Sequence, residues 1–208
     1  MKKTILILIT LLAINLFTYS QENLTYQKPS AEILALADYE RAPSVTMDSK
    51  KEYMLLSYRD TYKSLNDLNQ EEMRLGGLRI NPVTNISSTI TYINNLKIKK
   101  IDARDEMQVT GLPQNPRISN ISLSPNEKKI AFAHTTDKGV ELWVLDIETA
   151  RAERLTEAVI NANLGNPVSW LNDNENLLVR LLPKNRVTLI DTKKELPKGP
   201  TVSTGDGS

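Results

Sequence analysis

The stretch Ile121-Ser-Leu-Ser-Pro-Asn-Glu-Lys-Lys-Ile-Ala-Phe-Ala133 decides the fold, because it recurs in weaker form about 47 residues later and about 76 residues earlier. Ser122, Leu123, Asn126, Ile130 and Phe132 align with Ser169, Trp170, Asp173, Leu177 and Val179, and an earlier copy sets Thr46, Met47, Met54 and Leu56 against Ser122, Leu123, Ile130 and Phe132. Each copy reads as a strand, a polar turn and a second, more apolar strand. Recurrence every ~40–50 residues is what four-stranded propeller blades produce. The expected fold is therefore all-β, an incomplete β-propeller of about three blades of four-stranded antiparallel sheet, with a short helical insertion and an N-terminal signal helix.

Working outward, the middle copy should be the most regular, with strands at Ser119 to Leu123, Ile130 to His134, Glu141 to Ile147 and Ala152 to Leu155. In the third strand, period-two alternation puts Leu142, Val144 and Asp146 on one face and Trp143, Leu145 and Ile147 on the other. Apolar side chains on both faces predict a sheet sandwiched between neighbours. The first copy begins at Ser44, with Met54 to Tyr58 as its second strand. An insertion follows, with Leu65, Leu68, Met73 and Leu75 at roughly helical spacing before Gly76-Gly77. Leu78 to Ile80, Ser88 to Asn94 and Leu96 to Ile101 read as strands, and Val109 to Pro113 closes that blade. The last copy runs from Pro167 to Trp170 and from Asn176 to Leu182, and adds a strand at Val187 to Asp191. Fewer than four blades can be counted, whereas a ring needs about four to eight.

The ends carry different information. Lys2 and Lys3 precede an apolar run from Ile5 to Phe17, and small residues Thr18 and Ser20 come before Gln21, so residues 1–20 read as a signal peptide cleaved after Ser20. The run is shorter than the ~20 residues a membrane span requires, which disfavours a retained anchor. Residues 21–43 form an N-terminal segment with a short helix from Ser30 to Asp38, Ser30 as N-cap and Glu32 in its first turn. Residues 44–192 form the partial propeller. Residues 193–208, rich in turn-formers, read as a flexible linker or tail in which the chain looks interrupted.

Composition excludes several classes. The chain has 208 residues, 40% of them hydrophobic, which suffices for a sizeable core. Losing Lys2 and Lys3 with the leader shifts the formal charge from +1 to −1, so neither a nucleic acid nor an acidic membrane is an expected partner. Cysteine is absent, which rules out thiol catalysis, disulfides and a lipid-modified cysteine, and points to a soluble periplasmic or secreted product.

No catalytic residue, cofactor or metal ligand is assigned. His134 is the one histidine, which excludes multi-histidine metal sites, and no Gly-x-Ser-x-Gly elbow offers it a nucleophile. It reads as an ordinary strand-end histidine. Asn172-Asp-Asn-Glu175 lacks the glycine and distant glutamate of a helix-loop-helix calcium loop, and it occupies the repeat's turn position. Lys97, Lys99 and Lys100 alternate with Leu96, Ile98 and Ile101 as a solvated strand face would. Asp105-Glu106 and Glu71-Glu72 have no partner at defined spacing, and Gly76-Gly77 lacks the rest of a phosphate loop. Asn23, Asn85 and Asn120 each match the glycosylation acceptor, a pattern common by chance.

Leu75-Gly-Gly-Leu-Arg-Ile-Asn-Pro82, Val109-Thr-Gly-Leu-Pro-x-Asn-Pro-Arg-Ile-Ser119, Glu141-Leu-Trp-Val-Leu-Asp146 and Leu164-Gly-Asn-Pro-x-Ser-Trp170 occur in order. Together they resemble the N-terminal propeller region of exported serine peptidases of the prolyl oligopeptidase family, in its glutamyl endopeptidase-like branch. The resemblance runs from about Tyr26 to Pro200. It departs from the usual Pro-Asp-Gly turn at Asn126-Glu127 and Lys50-Lys51. It implies a propeller that restricts peptide access to a Ser-Asp-His site in a C-terminal α/β-hydrolase domain. No residue of this sequence matches that site, so the chain alone is expected to be inactive. The implied partners are the peptide substrate of the full-length enzyme and the missing hydrolase domain. The competing expectations are a non-catalytic TolB-like periplasmic scaffold that binds a partner protein, and a decayed remnant.

Overall fold

The computed structural model describes residues 28–37 and 39–185. The leader at residues 1–20, the strand expected at Val187 to Asp191 and the tail at 193–208 lie outside them. Two compact units separate at Tyr39. The first contributes helix α1, Ala31–Ala37, which begins one residue after Ser30, as its capping pattern predicts.

The second unit is mostly β, built from antiparallel sheets. Four strands named in chain order, β8 (Ile118–Leu123), β9 (Lys129–Thr135), β10 (Val140–Asp146) and β11 (Arg151–Arg154), form an up-and-down meander. All four agree with the sequence reading to within one residue at either end. A second four-stranded sheet has the order β1 (Ser44–Met47), β2 (Tyr53–Tyr58), β6 (Asn95–Lys100), β7 (Met107–Gln108). A third, two-stranded sheet pairs β12 (Val168–Trp170) with β13 (Leu177–Val179).

The recurring unit survives at the level of single hydrogen bonds. Met47 pairs with Met54, Leu123 with Ile130 and Trp170 with Leu177, the same place in three hairpins. In the turns, Lys51, Glu127 and Asn174 all adopt left-handed backbone, with φ of 59°, 57° and 65°. Their amides donate to Asp48 O, Ser124 O and Leu171 O, at 3.1, 2.8 and 3.2 Å. The positions carry unlike side chains, so the conformation belongs to the turn rather than to one residue type. Successive turns are also linked: Ser49 N donates to Glu127 Oε2 at 2.8 Å, and Asn126 N donates to Asn174 Oδ1 at 2.7 Å. The Trp170 indole crosses back to Ser122 O at 3.0 Å.

The middle sheet is sandwiched as its two apolar faces predict. Phe132, Trp143 and Leu145 pack with Leu55, Leu96 and Ile98 of the β1-β2-β6-β7 sheet, while Ala131, Ala133 and Leu142 pack with Val168, Ile160 and Ile86. Full burial of side chains such as Phe132, Ile130 and Leu145 contributes about 1.5–3 kcal/mol each before entropy is counted. Thr110 bridges Arg151 in parallel, joining the outer margins of these two sheets, and Gly111 permits the approach because a Cβ there would collide with the Ala152 carbonyl oxygen.

The insertion between β2 and β6 departs from expectation. Its helix, α2, covers only Leu65–Leu68, capped by Ser64. Met73 and Leu75 lie instead in strand β3 (Met73–Leu75), and Gly76-Gly77, at φ of 51° and 91°, makes the two-residue turn into β4 (Leu78–Asn81). Two consecutive positive φ values are what a tight hairpin requires and what paired glycines supply. The strand expected at Ser88 to Asn94 does not form. The third strand, β5, is Ile86–Ser87, and beyond it only Ile93 pairs, exchanging two 2.9 Å bonds with Ile118. Thr, Ile and Tyr favour strands, yet Ile90 and Tyr92 are drawn into packing against the core, which overrides that preference.

Candidate functional site

The insertion and the connection from β7 to β8 enclose a polar cleft of about 590 Å³. Its shape depends on α2. Ser64 Oγ accepts from Asp67 N at 3.1 Å, which fixes the first turn and leaves Asp67 Oδ1 free to take Arg117 Nη2 at 2.7 Å. The Arg117 guanidinium lies 4.4 Å from the Tyr92 ring centre, a stacked cation. Lys63 Nζ donates to Ser88 O at 3.0 Å, and Asn94 Nδ2 to Asp60 Oδ1 at 2.8 Å. Asn66, Asn95 and Asn115 add amide groups to the walls. Paired charges, amides and two tyrosines suit an extended polar ligand held by hydrogen bonds, not a bulk polyanion. Sequence reasoning missed this cleft. The one sequence feature that bears on it is Pro116-Arg117, near the end of the Val109–Ser119 motif.

A second polar cluster is buried. His134 and Glu141 face each other across the β9-β10 hairpin, with His134 Nδ1 3.1 Å from Glu141 Oε2. The same oxygen accepts from Trp143 Nε1 at 2.9 Å, and Oε1 accepts from Arg154 Nη1 at 3.1 Å. Burial works to raise the Glu141 pKa, but the bonds from Trp143, His134 and Arg154 outweigh it and hold the carboxyl below its ordinary range. The His134 ring also meets Trp143 edge-on at 6.0 Å. With both carboxylate oxygens engaged and the imidazole buried, the cluster cross-links β9, β10 and β11.

The remaining flagged residues take local roles. Asp173 in Asn172-Asp-Asn-Glu175 accepts from the Glu175 and Asn176 amides at 3.0 and 2.9 Å, so its carboxylate closes the third turn. Lys97 bonds Glu106 at 3.0 Å and lies 5.0 Å from the Tyr58 ring centre, on the face of β6 opposite buried Leu96 and Ile98. Glu72 binds Arg74, Arg79 and Ser88, and the Arg79 hydrogen bond leads those that lower its pKa to about 2. Asn85 is buried beside β5, a poor acceptor for a glycan, and Asn23 lies outside the described residues. Among the described residues no helix is long and apolar enough to cross a membrane.

No family model matches the chain. It is similar to the probable chloroplastic glutamyl endopeptidase of Arabidopsis thaliana, 28% identical over 192 residues that cover 86% of this chain and 19% of that protein. It is also similar to the protein of the same description from Oryza sativa subsp. japonica, 27% identical over 196 residues, covering 88% of this chain and 21% of that one. The chain thus spans about a fifth of the length of these curated relatives. Among solved structures, the acylaminoacyl peptidase of Pyrococcus horikoshii superposes with a TM-score of 0.39 over 75% of this chain and 19% of its own, at 17% identity.

Proposed function

We propose that the β sheets of residues 44–192 are consecutive blades at the N-terminal end of the β-propeller of an exported serine peptidase. In this reading they restrict peptide access to a Ser-Asp-His site in an α/β-hydrolase domain encoded beyond the present sequence. The observation that carries it is the recurrence of one hairpin in one register, Met47 with Met54, Leu123 with Ile130 and Trp170 with Leu177, each turn bonded to the next. Similarity to two proteins described as glutamyl endopeptidases supports the peptidase assignment, and their chloroplastic description fits a targeted protein. The polar cleft beside Arg117 supplies a surface suited to extended peptides. For this chain, export by residues 1–20 is part of the same proposal.

The test is the coding sequence after the codon for Ser208. The proposal expects a continuing or frameshifted frame with further strand-turn-strand copies and a Gly-x-Ser-x-Gly elbow. A stop followed by an unrelated gene contradicts it and favours a scaffold or a decayed remnant. The chain itself should hydrolyse neither peptide esters nor glutamyl peptides, and turnover sensitive to serine-directed inhibitors would overturn the division of labour.

A further inference from the structure

Each repeated hairpin meets its neighbours in sequence, but the insertion reaches farther. It leaves the first sheet after Tyr58 and rejoins it at Asn95. Between those points Ile86, 1% exposed, is packed among Ala131, Ala133 and Leu142 of the middle sheet and Ala162 and Val168 of the third copy. Its backbone bridges Ala162 in parallel, and Ala162 N donates to Asn85 O at 2.9 Å. The segment around Ala162 is tied to the third hairpin, because Asn161 N donates to Arg180 O at 2.9 Å. A residue carried by the first copy therefore seals the seam between the second and the third.

The other end of the insertion is anchored at the polar cleft. Asp67 and Arg117, with side chains 25% and 22% exposed, pair at 2.7 Å. Arg117 is rooted in the middle sheet, since its carbonyl accepts from Thr135 N at 3.0 Å. Tyr92, stacked on Arg117, and Ile90 pack against the same apolar cluster as Ile86. Lys63 Nζ, bonded to Ser88 O, joins the two arms of the insertion two residues beyond Ile86. Asp67, Arg117, Tyr92 and Ile86 also border one void of about 20 Å³, so the two anchors are contiguous. In stacked repeats, coupling passes between nearest neighbours. We infer that the insertion is a strap that overrides this limit: its cleft anchor, Asp67 with Arg117 and Tyr92, and its seam anchor, Ile86 with Ala162, hold one another in place. Displacing the first loosens the third copy's seat on the second. A ligand that enters the cleft and moves Asp67 is then sensed at a seam it does not touch. The inference rests on packing and hydrogen bonds and is independent of the peptidase reading.

The Ala162 amide reports the seating of the strap, and the nearby Ile160 amide, bonded to Val140 O at 3.0 Å, is the control. In the full chain under native conditions, Asp67→Ala should lower the protection of Ala162 against hydrogen exchange about fivefold and leave that of Ile160 unchanged. Among the described residues Asp67 is bonded to Ser64 and Arg117 and to nothing in the third copy, so loss of its own bonds reaches Ala162 only through the strap. Asp67→Asn, which keeps the side chain's shape, should shift the same amide in the same direction. Ile86→Val trims the other anchor. Once either anchor is slack the other has less to hold, so Asp67→Ala with Ile86→Val should lose less protection at Ala162 than the product of the single effects. Unchanged protection of Ala162 in both Asp67 variants, equal losses at Ile160 and Ala162, or single effects that simply multiply would overturn the inference.

Discussion

The middle sheet and the β12-β13 pair are built from the same hairpin, yet equivalent side chains meet different surroundings. Ile130, Ala131 and Phe132 are fully buried, whereas their counterparts Leu177 and Val179 are half-buried and Leu178 is 67% exposed. Backbone geometry is shared down to the left-handed residue of the turn. Turn conformation is thus set within a few residues, while burial is conferred by neighbours: the middle sheet has one on each face, and the third has a described neighbour on one face only.

The largest expected contrast is a core truncation at equivalent places. Phe132→Ala removes a ring enclosed on both sides and stacked at 6.2 Å on Trp143, and should cost about 3–5 kcal/mol. Val179→Ala, in a half-buried site, should cost well under half of that by chemical denaturation. Equal losses would mean the two sheets are equally enclosed. Next in size is Glu141→Ala, which strands the Trp143 indole, His134 and Arg154 and should cost roughly 1–3 kcal/mol. Such a cluster has no counterpart in the third copy, where the matching positions are Leu181 and Thr188.

A smaller effect separates the turns. Left-handed backbone disfavours most side chains by about 1–2 kcal/mol, and asparagine tolerates it best. Lys51→Gly should therefore raise the melting temperature by a few degrees, while Asn174→Gly, which also loses the bond from Asn126 N, should not. The smallest effect is confined to the insertion. Because the Glu72 pKa is lowered in the folded chain, its stabilisation is present above the ordinary value of 4.5 and disappears as pH falls toward about 2. Hydrogen-exchange protection factors at β3 and β4, taken relative to the intrinsic rate at each pH, should fall across that window before those in β9 do. Simultaneous loss would make the insertion part of the main cooperative unit.

Much of this architecture could be read from residues because its determinants are local. Ser-Pro-Asn-Glu, Asn-Asp-Asn-Glu and Ser-Lys-Lys-Glu mark the three turns, and the alternation in Glu141 to Ile147 predicts both faces of β10. The insertion departs from its helical spacing for a physical reason. Leu65, Leu68, Met73 and Leu75 approximate helical spacing, but Glu72 binds Arg74 and Arg79 across the β3-β4 hairpin and the paired glycines turn it back. The cleft and the His134-Glu141 cluster were invisible because their members come from separate segments. Arg117 meets Asp67 and Tyr92 only after the insertion folds over, and Glu141 reaches His134 only across a hairpin.

The central claim is that three copies of one hairpin stack in sequence order, each turn touching only the next. Dipolar EPR between spin labels at equivalent turn positions tests it most directly, using Lys50 with Asn126, Asn126 with Asp173, and Lys50 with Asp173 in the cysteine-free chain. The account predicts two short, similar separations for the adjacent pairs and a distinctly longer one for the outer pair. An outer separation as short as the adjacent ones, or adjacent pairs that differ widely from each other, would contradict it.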